Sequence, residues 1–484
     1  MHTDYNVQMM YWPVFAANQI GLAKTYFDFF RRHADIDGIK VPGLTDGTCR
    51  EMSYLPCRNW QCGTAWCAQL FWWGYQYTGD AAFLRDSAYP FMREAAKFYR
   101  AYAIKGDDGK YHIFPSTPPE QSPWWATDPG IDIALIRALM KAVIEASGLL
   151  GLDADLRPGW RDLLDNLAEI PSNGQVLLDH RDAAPDCRLG HTALLCAVYT
   201  AGEIGLGSPR EAQELAVRTL RAIPQRTSRA VADYPFDIAT WNDDCCWPNL
   251  IGYAARLGLA EQARDFLYDY GIFQHLKPNG LFAFDCPVND RQRLTRWGMP
   301  DSSEAMTAAV SEMLLQSYDG VIRIAPAAPA EWDAKFERFL AVGAFEVDAE
   351  IAAGRVRTLS LRSLKGNPCR LVNPCPADAT RRGPPPALLY RARPPRRCAP
   401  GKADQSLAGH PPAGNCQGGS QLTVNWRLGA AAGPFLQAQP RDHLLRRRGS
   451  SWAYPASPVC AGSAQSTHDR VKPVKRHSPD SSSY

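Results

Sequence analysis

The sequence lacks several features that would indicate a particular class of partner. Its 53 basic and 50 acidic residues leave a net charge of only +3, so no excess of charge suggests binding to nucleic acid or to a membrane surface. No uninterrupted apolar run approaches the roughly 20 residues that cross a bilayer. The residues after Met1 do not show the charged and apolar regions of a signal peptide. We therefore expect neither nucleic acid nor a membrane as a partner, and the compartment stays open.

Metal-binding and disulfide patterns are also missing. The 14 cysteines are scattered, and neither Cys57, Cys62 and Cys67 nor the Cys245–Cys246 pair has the spacing of a zinc site. The chain is too long for a disulfide scaffold. Strands and helices do not alternate as they would in a doubly wound sheet or a β/α barrel. The sequence thus predicts no metal site, and it leaves the redox compartment undecided.

Aromatic residues and helical periodicity are abundant. The 14 tryptophans, 19 tyrosines and 18 phenylalanines suit both a helical barrel core and a sugar site. Apolar residues at helical spacing predict about ten helices, mostly in pairs joined by long loops rich in proline and tryptophan. The predicted helices are Phe15–His33, Gly63–Tyr77, Asp80–Ala103, Ile131–Leu149, Arg157–Ala168, Leu189–Ile204, Pro209–Ile223, Trp241–Leu257, Ala260–Gly271 and Ser302–Tyr318. This mainly α pattern predicts an (α/α)6 toroid of six helical hairpins that lacks its first one or two helices.

Composition divides the chain into three parts. Residues 1–319 form the predicted helical barrel, which would be the catalytic domain. Residues 320–374 predict a small antiparallel β module, because Gly320–Pro326 and Phe345–Leu364 alternate or carry β-branched residues. Residues 375–484 lose hydrophobic periodicity and are rich in arginine and proline, which predicts a disordered tail of low complexity. The abrupt change suggests translation out of the original frame, and basic runs such as Arg446–Arg448 are typical of such tails.

A stiff loop presents the first candidate catalytic residue. Pro115–Glu120, with sequence PSTPPE, contains three prolines and cannot propagate a helix. It places Glu120 beside Trp124 and Trp125. A carboxyl group next to aromatic faces loses solvent and its pKa rises, so it can act as an acid near neutral pH. The functional interpretation is a proton donor in a carbohydrate site, and the alternative is a solvated glutamate on a surface loop.

The start of the chain carries polar groups at every second position. These are His2, Asp4, Asn6 and Gln8 within His2–Pro13. A period of two predicts an extended segment with one polar edge facing a cleft. The alternative is a structural ladder of hydrogen bonds. A start codon so close to this segment suggests that an upstream part is missing.

Asp301 is the second candidate catalytic residue. It precedes the predicted helix Ser302–Tyr318, and Glu304 follows three residues later. This spacing fits a helix cap that would be worth about 1 kcal/mol. The functional interpretation is a general base. Loops and alternate helix ends of a helical toroid converge on one mouth, which would bring the start of the chain, Glu120 and the Asp301 region together.

These stretches resemble glycoside hydrolase family 95, the inverting α-L-fucosidases and α-L-galactosidases. His2–Pro13, with sequence HTDYNVQMMYWP, is similar to the family's HxNxNxQMxYWP signature. Gly63–Asp80 resembles the helix that begins GGAW and ends TGD, and Pro115–Glu120 is similar to the PSTSPE acid loop. Asp301–Ser317 resembles the segment that carries the base. The four motifs occur in the family's order, and the resemblance covers about Met1–Asn373.

The resemblance implies a role for each matching position. Glu120 matches the general acid, Asp301 the general base, and Asn6 one of two asparagines that hold the attacking water. Asp4 stands where the other asparagine would be, and a second carboxylate there would raise one pKa or share the base role. An inverting glycosidase needs one protonated and one ionised carboxyl group about 6.5–9.5 Å apart. Because these two groups supply both proton transfers, no metal or organic cofactor is expected.

The other departures from the family fall in the expected sugar pocket. Leu70 and Gly74 replace two histidines, and Trp241–Asp244 stands where the family has GWSxAW. The sugar and the linkage therefore stay open. The candidate substrate-binding residues are His2, Trp66, Trp124, Trp125, His191, Trp241 and Asp243. The tryptophans and the imidazole also fit a buried core, and the aspartate fits a helix cap.

Two alternatives accompany the interpretation as an inverting hydrolase. A disaccharide phosphorylase on the same barrel would use phosphate in place of the base, but no Gly/Ser-rich phosphate cradle with a basic residue lies near Asp301 in sequence. An inactive or sugar-binding remnant would fit the incomplete helix count, the missing upstream domain and the disrupted tail. The expected partner is a carbohydrate in each case, and the oligomeric state is open.

Overall fold

The structure analysed is a computed structural model of the protein. It describes residues 6–36, 39–40, 48–49, 60–119, 125–187, 191–227, 247–278, 280, 282–288, 293–372, 374, 380–382 and 423–427. The chain divides into a unit of residues 1–430 and a unit of residues 431–484, and every described residue belongs to the first.

The described part is rich in helices. Their bounds are α1 Asn6–Tyr11, α2 Pro13–Ala16, α3 Ala23–Ile36, α4 Gly63–Thr78, α5 Ala81–Phe83, α6 Tyr89–Tyr102, α7 Gly130–Leu150, α8 Arg157–Asn166, α9 Arg210–Thr227, α10 Trp247–Arg256, α11 Ala260–Asp265 and α12 Pro300–Leu314. Short 3-10 turns span Ile20–Leu22 and Ala193–Ala197, and π-helical turns span Leu84–Ala88 and Phe266–His275. No helix in the described ranges is long and apolar enough to cross a membrane.

The helix pair around Gly79 confirms the sequence prediction. Gly79 ends α4 in the left-handed conformation, at φ +61°, where a residue without Cβ is favoured. The Asp80 carboxylate then accepts hydrogen bonds from the backbone N–H groups of Ala82 and Phe83, at 2.9 and 3.0 Å. The cap satisfies two donors that the first turn leaves without partners. The chain therefore turns sharply here, and α6 packs back against α4.

Some predictions of local structure were wrong. The extended segment predicted for His2–Pro13 is helical from Asn6 onward, within the residues that the structure describes. Val7, Gln8 and Met9 are all buried in succession because α1 is enclosed by α4 and α12, so the alternating polar residues do not mark one open edge. In the described part of the predicted helix Leu189–Ile204, which is residues 191–204, only the 3-10 turn Ala193–Ala197 is helical. This run is buried on every side, and an apolar stretch without a polar face carries no periodicity that separates a helix from other buried backbone.

Small antiparallel sheets accompany the helices. The strands are β1 Ile39–Lys40, β2 Thr48–Cys49, β3 Ile104–Lys105, β4 Tyr111–His112, β5 Ala283–Val288, β6 Arg293–Gly298, β7 Leu315–Tyr318, β8 Val321–Ile324, β9 Ala334–Ala341, β10 Phe345–Ala352, β11 Arg355–Ser363, β12 Thr380–Arg382 and β13 Thr423–Arg427. The first eight strands form four two-stranded sheets, each from consecutive strands. The last five form one sheet in the order β12-β13-β11-β10-β9.

The five-stranded sheet has its own core, built on the alternation predicted for residues 345–364. Phe345, Val347, Ala349 and Ile351 all point from β10 into one apolar cluster. The sequence did not predict β9, because a bulge interrupts its alternation. At this bulge Arg338 takes φ +58° and the register with β10 shifts. Strands β12 and β13 lie in the segment that the sequence predicts to be disordered.

Candidate active site

Asp301 lies in the first turn of α12. The helix begins at Pro300, a position where proline is favoured because its missing N–H is not needed, and Met299 precedes it. Asp301 is therefore one residue inside the helix, and its predicted place as the N-cap is wrong. Its side chain is 4% exposed. The first turn of a helix favours negative charge, so a buried carboxylate is well accommodated here.

Asn6 contacts Asp301 directly. The Asn6 amide Nδ2 donates a hydrogen bond to Asp301 Oδ2 at 2.7 Å, across 295 residues of sequence. Asn6 is the first residue of α1, and α1 packs along α12, so the two helix starts lie side by side. An amide that donates to a carboxylate does not compete for its proton. The arrangement thus joins a carboxylate and a side-chain amide, the two groups that the sequence predicts to act together.

The two ends of the Glu120 loop are firmly held. Ser116 and Ala126 exchange two backbone hydrogen bonds, at 3.1 and 2.6 Å, which closes the chain between them into a loop. The Tyr102 hydroxyl donates to the Pro115 carbonyl at 2.6 Å. Residues 116–119 are buried, and Glu120 itself lies outside the described residues. The described flanks therefore fix where the loop leaves and re-enters the core.

Asp132 is a buried carboxyl group that the sequence did not single out. It lies in the first turn of α7, is fully buried, and accepts a hydrogen bond from the Ser116 hydroxyl at the base of the Glu120 loop. Burial raises the pKa of Asp132 to about 7, hydrogen bonds from Ser116 and Cys62 oppose the rise, and the nearby charges of Asp128 and Asp179 add to it. A signal was available in the sequence, since this aspartate is flanked by isoleucine on both sides at the start of an apolar helix.

The candidate substrate-binding residues occupy different environments. Trp66 is 3% exposed, its Nε1 donates to Thr200 Oγ1 at 3.2 Å, and its ring packs on those of Trp12 and Trp60. His191 is buried as well, whereas Trp125 is 63% exposed. The remaining candidates lie outside the described residues, as does Asp4. These are His2, Trp124, Trp241 and Asp243.

No group of three or more histidine, cysteine, aspartate or glutamate side chains in the described ranges could hold a metal ion.

The model of the glycosyl hydrolase family 95 catalytic domain matches residues 1–314. The chain therefore belongs to glycoside hydrolase family 95, and the resemblance noted in its sequence is confirmed. Alpha-L-fucosidase 2 of Arabidopsis thaliana is 24% identical over 371 residues, which are 68% of this chain and 40% of the fucosidase. The periplasmic/secreted acid trehalase of Candida glabrata is 24% identical over 126 residues, or 26% of this chain and 10% of the trehalase. The chain thus spans less than half the length of either relative.

Among solved structures, a putative kojibiose phosphorylase from the human microbiome aligns with 77% of this chain and 58% of its own. Its TM-score is 0.48 and its sequence identity is 9%.

Proposed function

We propose that this chain is an inverting glycoside hydrolase that cleaves an α-L-fucoside or a related glycoside, with Glu120 as general acid and Asp301 as general base. The family assignment supports glycoside chemistry. The observation that carries the assignment of the base is the 2.7 Å hydrogen bond between Asn6 and the buried Asp301. The scaffold proposed for both residues is the (α/α)6 toroid, with Glu120 and Asp301 at one mouth.

The reaction is a single displacement. Asp301 accepts a proton from a water molecule, and the resulting hydroxide equivalent forms a bond to the anomeric carbon. The bond from that carbon to the leaving oxygen breaks on the opposite face, and the leaving oxygen takes the proton of Glu120. Asn6 orients the water, together with Asp4. Because the two carboxyl groups exchange one proton each per turnover, the step needs no cofactor.

The sugar would lie between the two carboxyl groups. We assign its contacts to seven residues, whose indole, imidazole and carboxylate groups suit the faces and hydroxyls of a pyranose. They are His2, Trp66, Trp124, Trp125, His191, Trp241 and Asp243.

Hydrolysis of a panel of aryl glycosides tests the proposal. Glu120→Gln and Asp301→Asn should each lower kcat by about 10²–10⁴-fold, since general acid–base catalysis contributes that much. Glu211→Gln and Asp165→Asn make the same chemical changes at exposed positions and should leave the rate unchanged. Full turnover in Glu120→Gln on a substrate with a poor leaving group would overturn the assignment.

The same assay separates the alternatives when it is run with and without inorganic phosphate. Release of free sugar in phosphate-free buffer supports hydrolysis. Release of a sugar phosphate that requires added phosphate would assign phosphorolysis instead. Sugar binding without turnover of any glycoside would identify a binding remnant.

A further inference from the structure

A cavity lies near the end of α12 opposite to Asp301. Its volume is about 360 Å³, within the range of about 300–1,000 Å³ that ligand pockets occupy. It is lined by the last turns of α4 and by residues 317–320, which follow the end of α12. Since Asp301 is in the first turn of this 15-residue helix, the cavity is roughly 20 Å away along its axis. We call it the rear cavity.

Aromatic rings form part of its wall. Trp72, Trp73 and Tyr77 contribute from α4, and Tyr318 contributes from β7. Trp72 is only 8% exposed and packs against Tyr75 with ring centroids 5.3 Å apart, so its orientation is fixed by the protein. Flat apolar faces of this kind match the C–H surfaces of a pyranose ring.

A buried hydrogen-bond donor at the cavity has no acceptor among the described residues. Arg256 lines the cavity, is 5% exposed, and uses Nε and Nη2 to bind both carboxylate oxygens of Glu312. Its third nitrogen, Nη1, is buried, and no described group accepts from it. A Cβ built on Gly202, which also lines the cavity, would lie 3.7 Å from Nη1. Buried donors are nearly always paired in native proteins, so this one is suited to an oxygen supplied by a ligand.

The charges around the cavity disfavour an anionic ligand. Lys141 Nζ donates to both carboxylate oxygens of Glu203 at 2.7 Å, and Glu312 neutralises Arg256. Glu145 adds a further acidic group, and partial burial raises its pKa. No surplus of positive charge would hold a phosphate or carboxylate. The wall holds both donors, on Lys141 and Arg256, and acceptors, on Glu145 and Glu203, which suits hydroxyl groups because a hydroxyl both donates and accepts.

We propose that the rear cavity binds a neutral carbohydrate, either a monosaccharide or one residue of a longer glycan, at a site separate from Asp301. Glu145 and Gln76 would contact hydroxyls at the opening. Arg256 Nη1 lies under the cavity surface and would donate to a sugar oxygen once the guanidinium shifts toward the cavity. Trp73 would cover an apolar face of the ring. The inference concerns binding alone and does not depend on the hydrolytic reaction.

Titration calorimetry on the full chain tests the inference. The probes are L-fucose, D-galactose and D-glucose, with inorganic phosphate and tetramethylammonium as charged probes. The variants are Gln76→Ala and Glu145→Ala, which shorten side chains at the opening, and Ala138→Phe, which fills the cavity. At least one sugar should bind to the Asp301→Asn protein, and each cavity variant in that background should weaken binding by about tenfold or more.

The exposed change Glu211→Ala is the matched control and should leave the affinity unchanged. Thermal unfolding reports whether Ala138→Phe is folded. If it is not, Glu145→Ala, at the cavity opening, still tests the inference. The inference is overturned if no sugar binds at millimolar concentration. It is equally overturned if binding is the same in all three cavity variants, or if phosphate or tetramethylammonium binds there in preference to the sugars.

Discussion

At the scale of single residues, the contact between Asn6 and Asp301 connects two side chains that no local pattern relates. Asn6 lies at the start of α1 and Asp301 at the start of α12, and the packing of these helices brings them to 2.7 Å. Helical spacing predicted α12 but could not predict its neighbour. The predicted toroid placed the start of the chain near the Asp301 region, and the resemblance to a known family paired Asn6 with Asp301 themselves.

Replacing Asn6 by alanine tests the role of the amide. We expect kcat to fall about 10- to 100-fold with little change in KM, because the amide orients the water rather than the sugar. Steady-state kinetics on an aryl glycoside measures both constants. Asn367→Ala is the control, since it removes another asparagine hydrogen bond at an exposed position. A rise in KM with unchanged kcat would instead assign Asn6 to substrate binding.

The buried carboxyl group of Asp132 should make the free energy of unfolding depend on pH. Its pKa is about 7 in the folded protein and about 3.9 when unfolded, so the folded state binds more protons between these values. The free energy of unfolding must therefore decrease as pH rises from about 4 to 7, by an amount on the order of 4 kcal/mol, and level off above 7. Asp132→Asn stays neutral, so its free energy of unfolding should lack this decrease with pH. Denaturant unfolding at pH 5 and pH 8 should show the variant gaining stability relative to the wild type at the higher pH.

Comparison with the wild type isolates Asp132, because other titrating groups contribute equally to both proteins. If the free energy of unfolding changes with pH by the same amount in both proteins, the carboxyl group titrates normally and its burial has no energetic consequence.

At the scale of elements, α12 carries a charged group near each end. Asp301 is in its first turn, and Glu312 near its last turn pairs with Arg256 of α10. Both members of this pair are buried, and the Arg256 guanidinium also lies 4.2 Å from the centre of the Tyr318 ring. The pair therefore fixes how α10 and α12 pack against each other.

Replacing one member of the pair should destabilise the fold strongly, whereas replacing both members should destabilise it much less. Arg256→Met alone leaves a buried carboxylate without its partner, and we expect the free energy of unfolding to fall by about 3–5 kcal/mol. The double change Arg256→Met with Glu312→Leu should recover most of this loss, since neither charge is then buried alone. Denaturant unfolding of both proteins measures the difference. A double variant no more stable than Arg256→Met would show that shape, rather than charge, dominates this contact.

The elements predicted from the sequence are those with local signals. The stop at Gly79 and the cap at Asp80 marked the turn after α4, and amphipathic spacing marked α7 and α8. Two of the wrong predictions fell where burial removes the signal. The Ala193–Ala197 region is apolar on all sides, and Gln8 is a polar residue that packs inside the core.

At the scale of the whole molecule, the helical core and the sheet of β9 to β13 each have an apolar cluster. The boundary predicted after residue 319 lies close to the start of the strand-rich part of the chain, although β7 already begins at Leu315. The position of Asp132 beneath the Glu120 loop could not be predicted, because it depends on Ser116 reaching α7. The contact between Asn6 and Asp301 thus arises from packing between distant elements, and the motifs supply the two side chains.

A crystal structure that includes the side chain of Glu120 tests the central claim most directly, through its distance from Asp301. For an inverting hydrolase the two carboxyl groups should face each other across one pocket, about 6.5–9.5 Å apart, with a water between Asp301 and the sugar position. A separation of about 5–5.5 Å would indicate a retaining mechanism. A Glu120 side chain directed into bulk solvent would contradict the assignment of the acid altogether.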